Sequence, residues 1–573
     1  MSPMVLSGLP KPPKIGSPVP LDPHAVSVQL PTWQDMVDLG SQHPRISTMQ
    51  QGGYPRSFIH PDIRKLSKKC GDSFGHSDHV HFFYPSHEYS ETTKAYILSQ
   101  ARTEEHGDFA DHEIRTHIFR FSRMETPNKQ HREIFLHALL VPSLWVRHAL
   151  YFWRLSGFGI SSRLASECLQ LFPSLIQNLA DSSTPKMALP VLEPNVYTNK
   201  ADIQIRDRLA FLHNCGRTTS STSIVTKEMI FLYPTGMAAI YHAHKLLLRL
   251  RYSQTVVFGF LYELTPKILS TYGPGLKFFG RGTAKEFEKL EIMLEDQKNQ
   301  EPKDHVQAVW CECASNPLLK TVDLVRLRGL ADRYGFLIVV DDTIGSVANV
   351  NVLDVADVVV TSLTKSFSGY ANVMAGSITL NPTSGRYLEL SSTLKTTYEN
   401  TLFKEDAIRL ELNSRDYLTR QNTINGTASY LVKYLHRYLE GSLALSGLYY
   451  PEICESTKNY CRHMRTNSIG EGHLPGFGGL FTMEFVNIPT AAAFFDALDV
   501  HKGPSLGAQY TLAQPYVQTV FQKEKKWAAS FGLKETIVRI SVGLEDRHLL
   551  KNAFIVAMNA AEEACGKHLN GQS

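Results

Sequence analysis

Three separated features of this sequence make chemical sense together. Phe336–Val340 (FLIVV) is a fully apolar run that stops at Asp341-Asp342, where a buried carboxylate needs a cationic or hydrogen-bonding partner. Lys365 stands just beyond a second β-like run, Asp357–Val360, and is flanked by Ser362, Thr364, Ser366 and Ser368. Upstream, Tyr233-Pro234-Thr235-Gly236-Met237 opens a helical stretch, AAIYHAHKLLLRL, whose free amides can face an anion. An amine, a buried acid and an anion cradle are the parts that hold pyridoxal phosphate: Schiff base, pyridinium partner and phosphate site. Taken singly, the same residues also read as a surface lysine, a strand-end turn residue and a capped helix.

The elements around them fit an open α/β sheet. Val306–Cys311 is a short apolar run, Asp323 can cap a helix carrying Leu324, Leu327 and Leu330, and Gly335 can end it. Strand, helix, strand in this order predicts a crossover and a parallel sheet buried on both faces. Polar residues gathered at such strand ends mark the usual ligand crevice. Earlier in the chain the rhythm is different. Residues 1–31 are proline-rich and read as an extended arm, and residues 32–190 show no βαβ pattern. Ile134–Trp153 is the most apolar long stretch, but His137, Pro142, Arg147 and His148 interrupt it, which predicts a buried helix pair rather than a membrane span. His76, His79, His81 and His87 fit no metal-ligand spacing and read as a histidine-rich loop or edge strand. Thr218–Ser223 (TTSSTS) reads as an exposed loop.

Composition sets the outer limits. The chain has 573 residues, 43% hydrophobic and 20% charged, which excludes a disordered chain, a collagen-like fibre and a polytopic membrane protein. A net charge of +4 over this length gives no reason to expect a nucleic-acid or acidic-membrane surface. The eight cysteines are scattered without a CxxC pair, and a core this large needs no disulfides. Cys311 and Cys313, two apart on a predicted strand, share one face without a zinc-ligand spacing. The amino terminus carries neither a signal-peptide nor a transit-peptide pattern, so the sequon at Asn425 reads as incidental and cytoplasm is the expected location.

The wording of the motifs adds a resemblance. VVDDTIGSVANVNVLDVADVVVTSLTKSFSGYANVMAGSITLNP resembles the lysine-bearing segment of the Cys/Met-metabolism family of pyridoxal-phosphate enzymes. FLYPTGMAAIYHAH, FGFLYELTPKIL, YGPGLKFFGRG, CECASNPLLKTVDL, KGPSLGAQYTLAQPY and IVRISVGLED resemble its landmarks in its order, most of all in the fungal type of cystathionine γ-synthase. PHAVSVQLPTWQDMV and GYPRSFIHPDI resemble the amino-terminal extension of that type, so the likeness spans nearly the whole chain. It implies an aspartate aminotransferase-like, fold-type I α/β architecture. The expected parts are a fungal-type extension (1–190), a large parallel-sheet domain that binds the cofactor (191–390) and a smaller C-terminal α/β domain (391–573).

The resemblance also implies roles. Lys365 would carry pyridoxal 5'-phosphate and shuttle protons, Asp341 would pair with the ring nitrogen, and Tyr262 would stack on the ring. Gly236, Met237, Ser362 and Thr364 would hold the phosphate, and Asn316 would sit near the ring oxygen or the substrate carboxylate. Arg539 would clamp that carboxylate with Ser505 beside it. No metal is implied. One departure stands out: the family grips the phosphate with a Tyr-x-Arg pair from a neighbouring subunit, and the match here, Tyr197-Thr198-Asn199, has asparagine for arginine. That loses a bidentate cation unless Lys200 or Arg206 moves in. The implied reaction is γ-replacement on an activated homoserine such as O-acetyl-L-homoserine, through a β,γ-unsaturated intermediate. The altered pair tilts the nucleophile towards a carbon acid such as a β-keto acid in specialised metabolism. Cysteine, giving cystathionine, is the alternative, and a lyase acting on cystathionine is the nearest further competitor. A non-catalytic scaffold of the same fold is the reading from another class. Partners would be an amino-acid substrate and a nucleophilic co-substrate, with a homodimer or homotetramer as the assembly and neither nucleic acid nor membrane.

Overall fold

The computed structural model describes residues 14–54, 58–74, 79–103, 114–125, 130–179, 199–216, 224–298, 301, 305–466 and 472–569. The apolar runs around the predicted crevice form its largest sheet. Its strands lie in the order Ile230–Tyr233, Gly376–Leu380, Val358–Thr361, Leu337–Asp341, Ala308–Glu312, Thr255–Phe258 and Leu276–Phe279. The expected helix runs over Leu324–Tyr334; Asp323 accepts from Arg326 N at 3.0 Å, and Gly335 ends it at φ +74°. The sheet is mixed rather than wholly parallel, because Gly376–Leu380 runs antiparallel to both neighbours. The segment that precedes it, residues 362–375, contains Lys365 and no helix, so the chain turns straight back instead of crossing over.

The amino-terminal part departs from expectation. Ile134–Trp153 is not a helix pair: its first half lies in the strand Gln130–Pro142, and its second half belongs to the helix Val146–Ser156. That strand pairs with His79–Tyr84 on one side and Arg115–Glu125 on the other, in a four-stranded antiparallel sheet closed by Ile176–Leu179. Being central, it buries Leu136, Ala138, Leu139, Leu140 and Val141 on both faces, and a short continuous apolar run of that kind fits strand and helix alike. His79 and His81 lie in this sheet, His87 begins the helix His87–Thr103, and His76 lies outside the described residues. Among the described residues no group of three or more His, Cys, Asp or Glu side chains could hold a metal, and no helix is long and apolar enough to cross a membrane. Thr218–Ser223 also lies outside the described residues. The helix His87–Thr103 meets the helix Gly236–Leu250 through aromatic packing: Tyr89 stacks on Phe158 at 3.9 Å, and Phe158 meets Tyr241 edge-on at 4.8 Å.

A third sheet, Leu445–Tyr449, Leu480–Phe485, Ile537–Ser541, Leu512–Gln514 and His501–Lys502, is packed against the helices Ile488–Ala497 and Arg547–Leu569. The arm before residue 55 ties the pieces together. Val26 N donates to Ala371 O at 2.8 Å, next to the lysine loop, and Leu30 N donates to Lys502 O at 2.9 Å, in the third sheet. Its helix Trp33–Ser41 is closed by a Thr32–Asp35 capping box, and Arg45 joins Asp35 and Asp38 at 2.6 and 2.7 Å.

The lysine loop itself is fastened by Arg420, which is 1% exposed. From the helix Tyr417–Leu439 it donates to the carbonyls of Ser366 (3.0 Å), Phe367 (3.1 Å), Ser368 (3.1 Å) and Asn413 (2.9 Å), and to Asp416 at 2.8 Å. A planar five-donor group suits so many acceptors, and an ammonium does not. Arg420→Ala should therefore cost about 3 kcal/mol by stranding buried carbonyls, measured as a lower urea midpoint at unchanged slope. Arg420→Lys should recover only part of that loss.

Candidate active site

The carboxyl ends of the central strands open into a cavity of 710 Å³ lined by Lys365, Asp341, Glu312, Tyr262, Arg539 and Gly236, with many others. At its floor the register pairs Glu312 with Asp341 on adjacent parallel strands. Both carboxyls are buried and both are pushed upward. Asp341 is raised by burial, and Glu312 is raised well above the usual range by burial and then by the charge of Asp341. Asp341 Oδ1 accepts from Thr343 N at 2.9 Å. Glu312 is a brace: Oε1 accepts from Tyr262 N at 2.7 Å and Oε2 from Asn316 N at 3.1 Å. One buried side chain thus fixes the backbone of two candidate site residues.

Arg539, on the strand Ile537–Ser541, is 4% exposed and surrounded by neutral acceptors. Its guanidinium donates to Asn316 Oδ1 (3.0 Å), Ser505 O (2.8 Å) and Gln514 Oε1 (2.5 Å), and it lies 4.8 Å above the Tyr516 ring. Burial lowers its pKa, and among the described residues it has no carboxylate ion-pair partner. A dry guanidinium oriented but not neutralised is a receptor for an anion with a matching fork. Asn316 Nδ2 donates to Tyr516 OH at 3.2 Å, so the clamp is itself held from behind.

Lys365 Nζ lies 3.3 Å from Ser505 Oγ and 4.4 Å from the centre of the Tyr54 ring, which belongs to the amino-terminal arm. The segment carrying Ser505 presses on the lysine loop so closely that a Cβ at Gly507, φ +74°, would meet Ser366 N at 2.6 Å. Across the cavity, the helix Gly236–Leu250 starts at Thr235, whose hydroxyl accepts from Ala238 N at 3.0 Å. A Cβ at Gly236 would come within 2.7 Å of the Ser362 side chain, so glycine leaves there a small cradle walled by amides and a hydroxyl. The residues present fit pyridoxal phosphate: an amide cradle for its phosphate, buried Asp341 for a protonated ring nitrogen, and Lys365 for its aldehyde.

Of the predicted residues, the fold gathers Lys365, Asp341, Tyr262, Asn316, Gly236, Met237, Ser362, Ser505 and Arg539 around one cavity. Thr364 is not among its walls: its buried hydroxyl donates to Ala375 O at 3.2 Å and accepts from Ala375 N at 3.1 Å, tying the lysine loop to the strand that follows. Tyr197 lies outside the described residues. Asn199 caps the helix Lys200–Asn214, accepting from Ala201 N at 2.7 Å, so its type is explained by the helix start. Glu312, Gln514, Tyr516 and Tyr54 were missed. A glutamate inside Cys-Glu-Cys, in an otherwise apolar strand, was a legible signal for the first. Tyr54 begins a Tyr-x-Arg triplet of its own, Tyr54-Pro55-Arg56, of which residues 55–57 lie outside the described residues.

The chain is also similar to known proteins over most of its length. A family model described as Cys/Met metabolism PLP-dependent enzyme matches residues 221–559, and one described as fungal trans-sulfuration enzyme, N-terminal domain, matches residues 62–161. The chain is 38% identical to a protein of Aspergillus violaceofuscus named alanine racemase ungC, covering 96% of this chain and 97% of that one. It is 32% identical to the cystathionine gamma-synthase of Neurospora crassa, over 96% and 99%. Cystathionine gamma synthase from Xanthomonas oryzae has a similar fold, with a TM-score of 0.51 at 20% identity, covering 64% of this chain and 87% of that one. Lys365→Ala should leave the purified protein colourless, whereas the wild type should be yellow and bleach with borohydride. A yellow variant would show that another group holds the cofactor.

Proposed function

From its membership of the Cys/Met-metabolism family of pyridoxal-phosphate-dependent enzymes, to which this chain belongs, we propose that it catalyses replacement at Cγ of an O-acyl-L-homoserine, O-acetyl-L-homoserine first among them. The observation that carries this reading is the extent of the cavity. Besides the Arg539 clamp and Lys365 it takes in Phe58, Ile59, Leu150 and Tyr151 together with the charged Arg147, Arg154 and Lys267, so a second reactant can lie beside the first.

Each side chain has a task in such a reaction. Arg539 takes the α-carboxylate in its fork, held in plane by Asn316, Ser505 and Gln514. With the carboxylate fixed, the Cα–H bond is presented to Lys365, whose amine would take that proton, give it up to the electron-accepting cofactor and, neutral again, take a proton from Cβ. The bound cofactor withdraws electrons from the amino-acid carbon skeleton and so acidifies these C–H bonds in turn. As the Cβ proton leaves, the acyloxy group departs from Cγ as a carboxylate. The nucleophile adds at Cγ, giving up its own proton, and Lys365 returns protons to Cβ and Cα. Ser505 Oγ and the Tyr54 ring are placed to hold the lysine in its charged form between transfers. Phe58, Ile59 and Leu150 on the cavity wall would limit water, which would otherwise compete at Cγ. A thiol and a carbon acid such as a β-keto acid both fit this sequence of steps.

The name of the 38% identical relative favours a second reading, racemisation of a small amino acid, which needs proton transfer at Cα only. The cavity supports it less, since alanine offers a single methyl group to fill it.

Holoenzyme incubated with O-acetyl-L-homoserine and either L-cysteine or a β-keto acid should release one acetate per condensed product, identified by mass. Alanine racemisation without acetate release would instead establish the second reading. Arg539→Lys should raise KM for the homoserine ester by about tenfold or more, because a point charge replaces a two-pronged donor.

A further inference from the structure

Two residues of the cavity wall each carry a buried acceptor oxygen with no donor among the described residues, Glu263 Oε2 and Gln522 Oε1. Glu263 is the sharper case because it is a carboxyl, 7% exposed, immediately after the ring-stacking candidate Tyr262. Its other oxygen lies 3.5 Å from Arg154 of the helix Val146–Ser156, whose side chain is 36% exposed. A pair with so wet and distant a partner gains little, whereas a dry carboxylate oxygen without a donor is costly.

The remaining groups do not need this carboxyl. Arg539 answers the α-carboxylate, Asp341 answers the cofactor ring, and the amino group of the first substrate is consumed in bonding to the cofactor. The other charged groups on the outer wall include Lys267, which is already joined to Glu524 at 2.8 Å, and Lys523. Glu263 directly follows Tyr262, whose amide is bonded to Glu312 at 2.7 Å, so its backbone stands close to the buried carboxyls rather than on the rim.

We propose that Glu263 receives a cationic nitrogen of the co-substrate that brings the nucleophile, making that molecule an amino acid or other amine rather than a plain acid. Arg539 and Glu263 then offer opposite charges to the two reactants, and each selects its own. The assignment rests on the γ-replacement reading, and it narrows that reading, because a bare β-keto acid has no such nitrogen.

The test uses holoenzyme and pairs of probes that differ in one charge. With O-acetyl-L-homoserine, the ratio of kcat/KM for L-cysteine over 3-mercaptopropionate should be about tenfold or more in the wild type. It should fall to near unity in Glu263→Gln. An equal ratio in the two proteins overturns the assignment. Methylguanidinium and its neutral counterpart methylurea, neither of which bonds to an aldehyde cofactor as an amine does, are compared by calorimetry on the same proteins. Methylguanidinium should bind the wild type more tightly than methylurea, lose that advantage in Glu263→Gln, and bind more tightly still to Arg154→Met, in which Glu263 loses its competitor. Absence of acetate release with every nucleophile defeats the γ-replacement reading, while the calorimetry still decides Glu263. Indistinguishable binding of the two probes in all three proteins defeats the proposal.

Discussion

Two carboxyl groups, Glu312 and Asp341, end adjacent parallel strands in register and away from water. Like charges in that position cannot both be sustained without help, and much of the surrounding architecture supplies it. The backbone amides of Tyr262, Asn316 and Thr343 turn inward to these oxygens. Doing so places the Tyr262 ring and the Asn316 side chain on the cavity wall. Asp341 remains as the acid that a protonated cofactor ring can satisfy. The sheet thus does more than carry residues to a crevice: its register creates an electrostatic demand that the loops answer.

The opposite charge is treated in the same way. Arg539 is oriented by three neutral oxygens, and Arg420 by four backbone carbonyls. The two differ in consequence. Arg420 spends its donors on those carbonyls and on Asp416, so it is structural and fixes the lysine loop. Arg539 has geometry without neutralisation, so it stays receptive. The distinction between a scaffold arginine and a binding arginine lies in what their partners are, not in how many they have.

The cofactor-type domain was legible because its signals are local. An apolar run ending in Asp341, a cap at Asp323 and a stop at Gly335 each act over a few residues, and the structure places them as read. The amino-terminal sheet was not legible, since Ile134–Pro142 is buried on both faces by strands far away in sequence and carries no alternation to reveal them. At the site, residue types were recovered better than contacts. Thr364 has the right chemistry for a phosphate but spends its hydroxyl on Ala375, a choice set by the returning strand Gly376–Leu380. Tyr54 escaped notice for the reverse reason: nothing near it in sequence announces that its ring ends above a lysine more than half the chain away.

That placement has a kinetic meaning. Tyr54 and Lys365 are on one polypeptide, and the arm that carries Tyr54 is fastened at Ala371 and at Lys502. Their encounter is therefore unimolecular, with an effective concentration set by the tether and independent of how much protein is present. Cutting the chain between residues 54 and 58 would turn it into one governed by docking of the severed arm.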